Sequence, residues 1–174
     1  VTGGFEKGAA MKPIQTRYKG YHFRSRLEAR WAVYFDAIGW KWLYEPEGFS
    51  LGDGDFYLPD FLLVDCGLWV EVKAEKPDEN ELRKAEKLAT QSNTSVVFAV
   101  GLPNAHELSM GLSGFYADAC LEGYTNNLAS LDSYCFSKWG RAGWLLYADP
   151  NESDFAACAA ALSARFEHGE SGAT

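Results

Sequence analysis

Cysteine is scarce in this 174-residue chain, with four residues at Cys66, Cys120, Cys135 and Cys158 and no CxxC pair. That pattern excludes a zinc ribbon and a dense disulfide scaffold, and makes a reduced, cytoplasmic protein the expectation. No run of eighteen apolar residues occurs, so no membrane-spanning helix is expected. Residues 1–10 lack the apolar core of a secretory signal. Walker and GxGxxG loops are missing, which leaves ATP hydrolysis and dinucleotide binding without a warrant. Ser113 stands in Gly111-Leu112-Ser113-Gly114, not in a GxSxG elbow. His106 and His168 lack the partner spacing of a zinc site. Basic residues are outnumbered, 16 against 24 acids, for a net charge of −8. Taken over the whole chain, that excess argues against a nucleic-acid partner.

What is present is apolar and aromatic: 47% hydrophobic residues and 15% Phe, Trp and Tyr. Such a chain can bury a core, and its length suits one domain. The charge is uneven. Lys12, Arg17, Lys19, Arg24, Arg26 and Arg30 face only Glu28 within residues 12–30, whereas residues 102–174 hold nine acids and three bases. The basic strip is interleaved with Tyr18, Tyr21, His22 and Phe23, and it reads either as a solvated face or as a phosphate-binding one. Residues 1–12 read as a flexible tail and 13–174 as one domain, with a core at about 21–101 and a C-terminal elaboration over 102–168.

Helical spacing of Leu27, Trp31, Tyr34, Phe35 and Ile38 predicts a helix over 25–38, with Ser25 as N-cap, Glu28 in the capping-box position and Gly39 as the stop. Strand-like runs follow at 40–44, 56–64 and 68–74, the second made irregular by Pro59-Asp60. A short Asp65-Cys66-Gly67 step joins the last two as a hairpin. A second helix is predicted over 78–92, capped by Asp78 and Glu81, and a buried strand over 95–100. Beyond Leu102, residues 111–124, 133–139 and 143–148 read as short strands or loop pieces, and 153–166 as an Ala-rich helix.

Glu71 and Lys73, two apart on a strand, project from one face. Asp60 lies on the preceding strand, near enough for its carboxylate to meet that of Glu71. Two carboxylates at close range are unfavourable unless a cation lies between them. A hard cation such as Mg²⁺ takes oxygen ligands of this kind, and Lys73 is placed to orient or deprotonate a water. Glu28 shares a helix row with Ala32 and Phe35, where a carboxylate is costly unless paired or metal-bound, although capping Ser25 would also account for it. The strand acids have a plainer explanation too, since exposed strands alternate Glu and Lys for solubility. Glu45 and Glu47, flanking Pro46, read as loop acids or further metal-facing acids. His22 is a structural histidine or a phosphate neighbour. Trp69 is a core residue or a base-stacking platform.

Pro59-Asp60 followed by Glu71-Val72-Lys73 resembles the PD-(D/E)xK nuclease superfamily. The resemblance implies a restriction-endonuclease-like α/β core, in the order helix, three strands, helix, strand, with helices flanking a mixed central sheet and a C-terminal α/β extension. Phage nucleases, junction resolvases and transposon endonuclease subunits are the nearest flavour, in a bacterial or phage-infected cell. The implied activity is hydrolysis of DNA phosphodiester bonds. The implied cofactor is Mg²⁺, replaceable by Mn²⁺, on Asp60, Glu71, the Val72 carbonyl and Glu28, with Lys73 serving the attacking water. Arg24, Arg26, Arg30, Lys84 and Lys87 would contact the DNA backbone. Two alternatives stand beside it: a non-catalytic nucleic-acid-binding or assembly module on the same fold, and a dimeric junction resolvase. The acidic C-terminal third would then suit a partner protein or a second copy.

Overall fold

The computed structural model describes residues 13–65, 67–92, 94–103, 116–117 and 152–166. They form a mixed α/β arrangement of three helices and a central mixed sheet. The chain begins with a hairpin of β1 (Thr16–Tyr18) and β2 (Tyr21–Phe23). Its turn is Lys19-Gly20, both at positive φ (47° and 82°), which matches the twist of a two-residue hairpin. The sequence pattern had suggested only a basic strip here.

Helix α1 (Arg26–Ala37) starts where the pattern placed it. Ser25 is extended, and its Oγ accepts the Glu28 N–H at 3.1 Å. At the other end Gly39 sits at φ 77°. Its N–H reaches the Asp36 carbonyl at 3.0 Å, and the Trp40 N–H reaches that of Phe35 at 2.9 Å. These two bonds form a Schellman motif, and the Phe35 and Trp40 rings stack beside it. Trp40 thus belongs to the helix stop, so β3 spans Trp42–Tyr44 rather than 40–44.

The expected strand over 56–64 is two strands. Pro59 lacks the N–H a ladder needs, and the chain changes partners around it. Before it, β5 (Phe56–Tyr57) pairs with β4 (Phe49–Ser50) in a small separate hairpin. After it, β6 (Phe61–Leu63) joins the main sheet. That sheet continues with β7 (Leu68–Lys73), β8 (Val96–Val100) and β9 (Tyr116–Ala117), in the order β3-β6-β7-β8-β9. The β7–β8 pair is parallel and the others antiparallel. Helix α2 (Glu79–Ser92) makes the crossover that parallel neighbours require.

Alternation along β7 divides the core. Leu68, Val70 and Val72 pack with α1 and with Ala157, Cys158 and Ala161 of α3 (Glu152–Ser163). Trp69 packs instead with Ala85, Leu88 and Ala89 of α2. Both sides of β7 are therefore covered, and its exposed-strand explanation fails: Glu71 is 8% exposed. Phe61 sits at the centre of the first cluster, with the rings of Phe23, Phe35, Trp42 and Tyr44 at 5.4–6.0 Å. The expected pieces over 133–139 and 143–148 lie outside the described residues, as do Ser113, His106 and His168.

Candidate active site

The site follows from the registry of β6 on β7. Phe61 pairs with Val70 and Leu62 with Trp69. One step further, the same register sets Asp60 opposite Glu71. Phe61 points into the aromatic cluster, so Asp60 turns to the other face, which Glu71 and Lys73 share. Asp60 is 3% exposed, and its Oδ2 accepts the Val72 N–H at 2.7 Å. Its Oδ1 lies 2.7 Å from Arg24 Nη2, which is also 2.5 Å from Glu45 Oε1. The Glu45 N–H donates to the Asp60 carbonyl at 2.8 Å.

Lys73 Nζ lies 3.0 Å from Glu71 Oε1 and 2.8 Å from Glu81 Oε1. The other oxygen of Glu81 accepts the Asp78 N–H at 2.9 Å, while Asp78 Oδ1 accepts the Glu81 N–H at 2.8 Å. The capping box of α2 is thus also the anchor of Lys73. Gly101 closes the far end of the strand pair: its N–H donates to the Lys73 carbonyl at 2.7 Å, and its carbonyl accepts Trp31 Nε1–H at 2.9 Å.

The electrostatics of this cluster are unfavourable for its acids. Burial, then Glu71, then Glu28 push the Asp60 carboxyl well above its ordinary range, against the Val72 N–H and Arg24. Burial raises the Glu71 carboxyl as well, although Lys73 and Arg24 oppose it. Tyr57 is raised by burial and by Glu71 and Asp60. A hydrogen-bonding approach to Glu71 adds to that rise, although Tyr57 Oη and Glu71 Oε2, both buried, make no hydrogen bond of regular geometry. Burial would lower the Lys73 ammonium, but Glu81 and Glu71 outweigh it and hold the group above its ordinary range. Of the two roles expected for Lys73, orienting a water or deprotonating it, a group held as an ammonium suits the first.

The remaining expected site residues divide. Glu28 is buried, and both its oxygens are engaged: Oε1 accepts Ser25 Oγ–H at 2.6 Å, and Oε2 accepts Tyr44 Oη–H at 2.6 Å and the Arg24 N–H at 3.1 Å. Its capping role is the one the contacts display. Arg26 makes no ion pair among the described residues, and its Nε is buried without a hydrogen bond. Arg30 is committed elsewhere. Its Nη1 donates to the Ala161 and Leu162 carbonyls at 2.5 and 2.6 Å, binding α1 to α3, a packing role that the sequence did not suggest. Lys84 and Lys87 pair with Asp55 at 3.9 and 3.3 Å and share it with Arg83, tying the β4–β5 hairpin to α2. Arg83, ahead of burial effects, pulls the Asp55 carboxyl down to about 2. Trp69 is buried edge-on to Phe49 and offers no stacking face. Glu47 is exposed, and His22 pairs with Arg17 on the surface. Arg24 and Glu45, which complete the cluster, stand 36 and 15 residues from Asp60 in sequence. Their meeting depends on how the β1–β2 hairpin and the β3 end fold back.

Among the described residues no three or more His, Cys, Asp or Glu side chains converge as a metal-ligand group. The donor set is smaller than expected but fits a hard cation. Two buried carboxylates repel each other across one strand pair, and one of their oxygens, Glu71 Oε2, makes no regular hydrogen bond. Mg²⁺ characteristically takes one or two carboxylates and keeps water in its other positions. Comparison with protein-family models, curated proteins and solved structures finds no match to this chain. Among the described residues no helix is long and apolar enough to cross a membrane.

The pH dependence follows with a definite sign. The folded Asp60–Glu71 pair keeps protons at pH values where the unfolded chain, with carboxyls near about 4, has released them. The pair therefore favours folding least at high pH. In EDTA, thermal stability should fall as pH rises from 5 to 8, by up to about 1.4 kcal/mol per pH unit for one proton. Mn²⁺ should flatten that slope by taking the proton's place. Melting curves across this range with and without Mn²⁺ check it, and equal slopes would contradict a cation site on this pair.

Proposed function

We propose that this chain is a Mg²⁺-dependent nuclease of the PD-(D/E)xK type, hydrolysing DNA phosphodiester bonds, on a restriction-endonuclease-like core. The observation that carries the proposal is the burial of Asp60 and Glu71 on paired strands, with the Lys73 ammonium 3.0 Å from Glu71 Oε1 and no regular hydrogen bond on Glu71 Oε2. A fold gains nothing from two repelling buried acids, so such a pair points to function rather than stability. The main sheet supports the same core: after α1 come its strands β3, β6 and β7, then α2 and the parallel β8, with the β4–β5 hairpin inserted between β3 and β6.

Asp60 and Glu71 would hold the cation, with the Val72 carbonyl on the strand between Glu71 and Lys73. Bound there, the cation would supply Lewis acidity and a water of lowered pKa. Lys73, fixed by Glu81, donates hydrogen bonds to the attacking water or to the phosphate oxygen on which charge grows. The Val72 N–H holds the Asp60 carboxylate in place, and Tyr57 walls the Glu71 side from solvent. Arg24 and Arg26, at the start of α1, are the proposed backbone contacts. The rival is a nucleic-acid-binding or assembly module without catalysis, and the net charge of −8 favours only its assembly form.

Linear, circular, single-stranded and branched DNA, incubated with the protein and Mg²⁺ or Mn²⁺, separate the two. Cleavage that EDTA stops and that Lys73→Ala slows by about 100-fold or more supports the nuclease. The substrate that is cut names its subclass, and selective cutting of branched DNA by a dimer would identify a resolvase. Binding without cleavage by wild-type protein would establish the module.

A further inference from the structure

Asp60 already carries a cation. Arg24 Nη2 lies 2.7 Å from Asp60 Oδ1 and 2.5 Å from Glu45 Oε1, bridging the two acids. The other Asp60 oxygen is taken by the Val72 N–H, which leaves Oδ1 as the oxygen facing away from the backbone. Glu45 is as firmly placed as Asp60. Its φ is 44°, a left-handed value uncommon outside glycine, and its N–H is tied to the Asp60 carbonyl. Arg24 differs from both. Its main-chain N–H is fixed on Glu28 Oε2 and Tyr44 Oη, yet its side chain is 55% exposed. The main chain is anchored and the guanidinium is open to solvent on one side.

A guanidinium held on Asp60 Oδ1 and a divalent cation on the same oxygen repel each other at short range. We propose that Arg24 is the resident counter-ion of the site, and that it must leave Asp60 before a divalent cation binds there, its guanidinium passing to a phosphate of the nucleic-acid strand. The inference rests on the nuclease assignment above. Guanidinium suits both positions, because its planar fork pairs equally with carboxylate and phosphate. The consequence is a coupling between two ligands. Nucleic acid draws Arg24 away and opens Asp60 to the cation, and the bound cation repels Arg24 toward the strand. Linkage requires the two effects to be equal in size. The site would then bind divalent cations more weakly until a strand is in place, which limits unproductive metal loading.

Calorimetric titration of the full chain with Ca²⁺, a hard-cation probe, tests this with and without a short DNA duplex whose integrity is checked by gel. Without DNA, Arg24→Gln should bind Ca²⁺ roughly tenfold tighter than wild type. Arg24→Lys, which keeps the charge but loses the fork, should fall between them. In wild type the duplex should tighten Ca²⁺ binding by a similar factor, and in Arg24→Gln that gain should largely vanish. Circular dichroism checks that each variant is folded. Wild-type Ca²⁺ affinity in both variants, or an undiminished duplex effect in Arg24→Gln, would overturn the role of Arg24 while leaving the nuclease assignment standing, provided Glu71→Gln loses cation binding. No Ca²⁺ or Mn²⁺ binding by any form, with or without duplex, would overturn both.

Discussion

Glu71→Gln is expected to raise the melting temperature of the metal-free protein while ending cleavage. The wild-type residue is buried, shares its strand pair with Asp60, and leaves Oε2 without a hydrogen bond. Glutamine has the same shape and carries no charge. Its amide group can donate where Oε2 now has nothing to accept, and Asp60 loses the neighbour that most strongly raises its carboxyl after burial. The loss on the other side is the 3.0 Å pair with Lys73, and Lys73 keeps Glu81 at 2.8 Å. The net gain should be about 1–2 kcal/mol at pH 8, or a few degrees for a chain of this length. Cleavage should fall by roughly 1,000-fold or more, since a neutral amide is a poor ligand for a hard cation. Melting in EDTA and single-turnover cleavage measure the two effects. A variant that melts below wild type in EDTA would show that the carboxylate is held for stability, and the functional assignment would lose its main support.

Phe61→Ala should produce the largest destabilisation in the described structure, about 3–5 kcal/mol. Phe61 is fully buried, and four aromatic rings from β2, α1 and β3 meet on it. No neighbour is free to fill the space, because each ring is held by others: Phe23 by Trp42 and Tyr44, and Phe35 by Trp31 and Trp40. The damage should also reach the site, since Asp60 precedes Phe61 and the paired registry of β6 and β7 places it. Denaturant unfolding is the measurement, with Phe56→Ala as the control. Phe56 is 72% exposed and should change stability by less than about 0.5 kcal/mol. Similar losses in the two variants would mean that the aromatic cluster is not the centre of the core.

Much of this architecture was legible in the sequence because it depends on short-range signals. Ser25 with Glu28 and Asp78 with Glu81 marked both helix starts, and Gly39 marked a stop. The alternation over residues 68–74 placed Glu71 and Lys73 on one face. It did not reveal that this face is covered, because period alone cannot say whether a second helix lies over a strand. The β1–β2 hairpin was hidden by its Lys19-Gly20 turn, where lysine is an unusual occupant of a left-handed position. The break at Pro59 was visible, but its outcome was not, since the partner β4 lies in a stretch of weak strand character. Long-range polar contacts were the least accessible. Arg24 was recognisable as a basic residue near the first helix, and nothing local told that it lies against Asp60. Arg30 was read in the same way, and its partners lie 131 and 132 residues away.

That last contact bears on folding order. The grip of Arg30 on the final carbonyls of α3 joins residues 131 apart, so α3 is expected to dock late, after the local hairpins and the crossover have formed. The entropic cost of such a closure grows only with the logarithm of loop length. Docking of α3 is therefore decided by its own contacts with α1, the Arg30 bonds together with Ala157, Cys158 and Ala161 in the shared core.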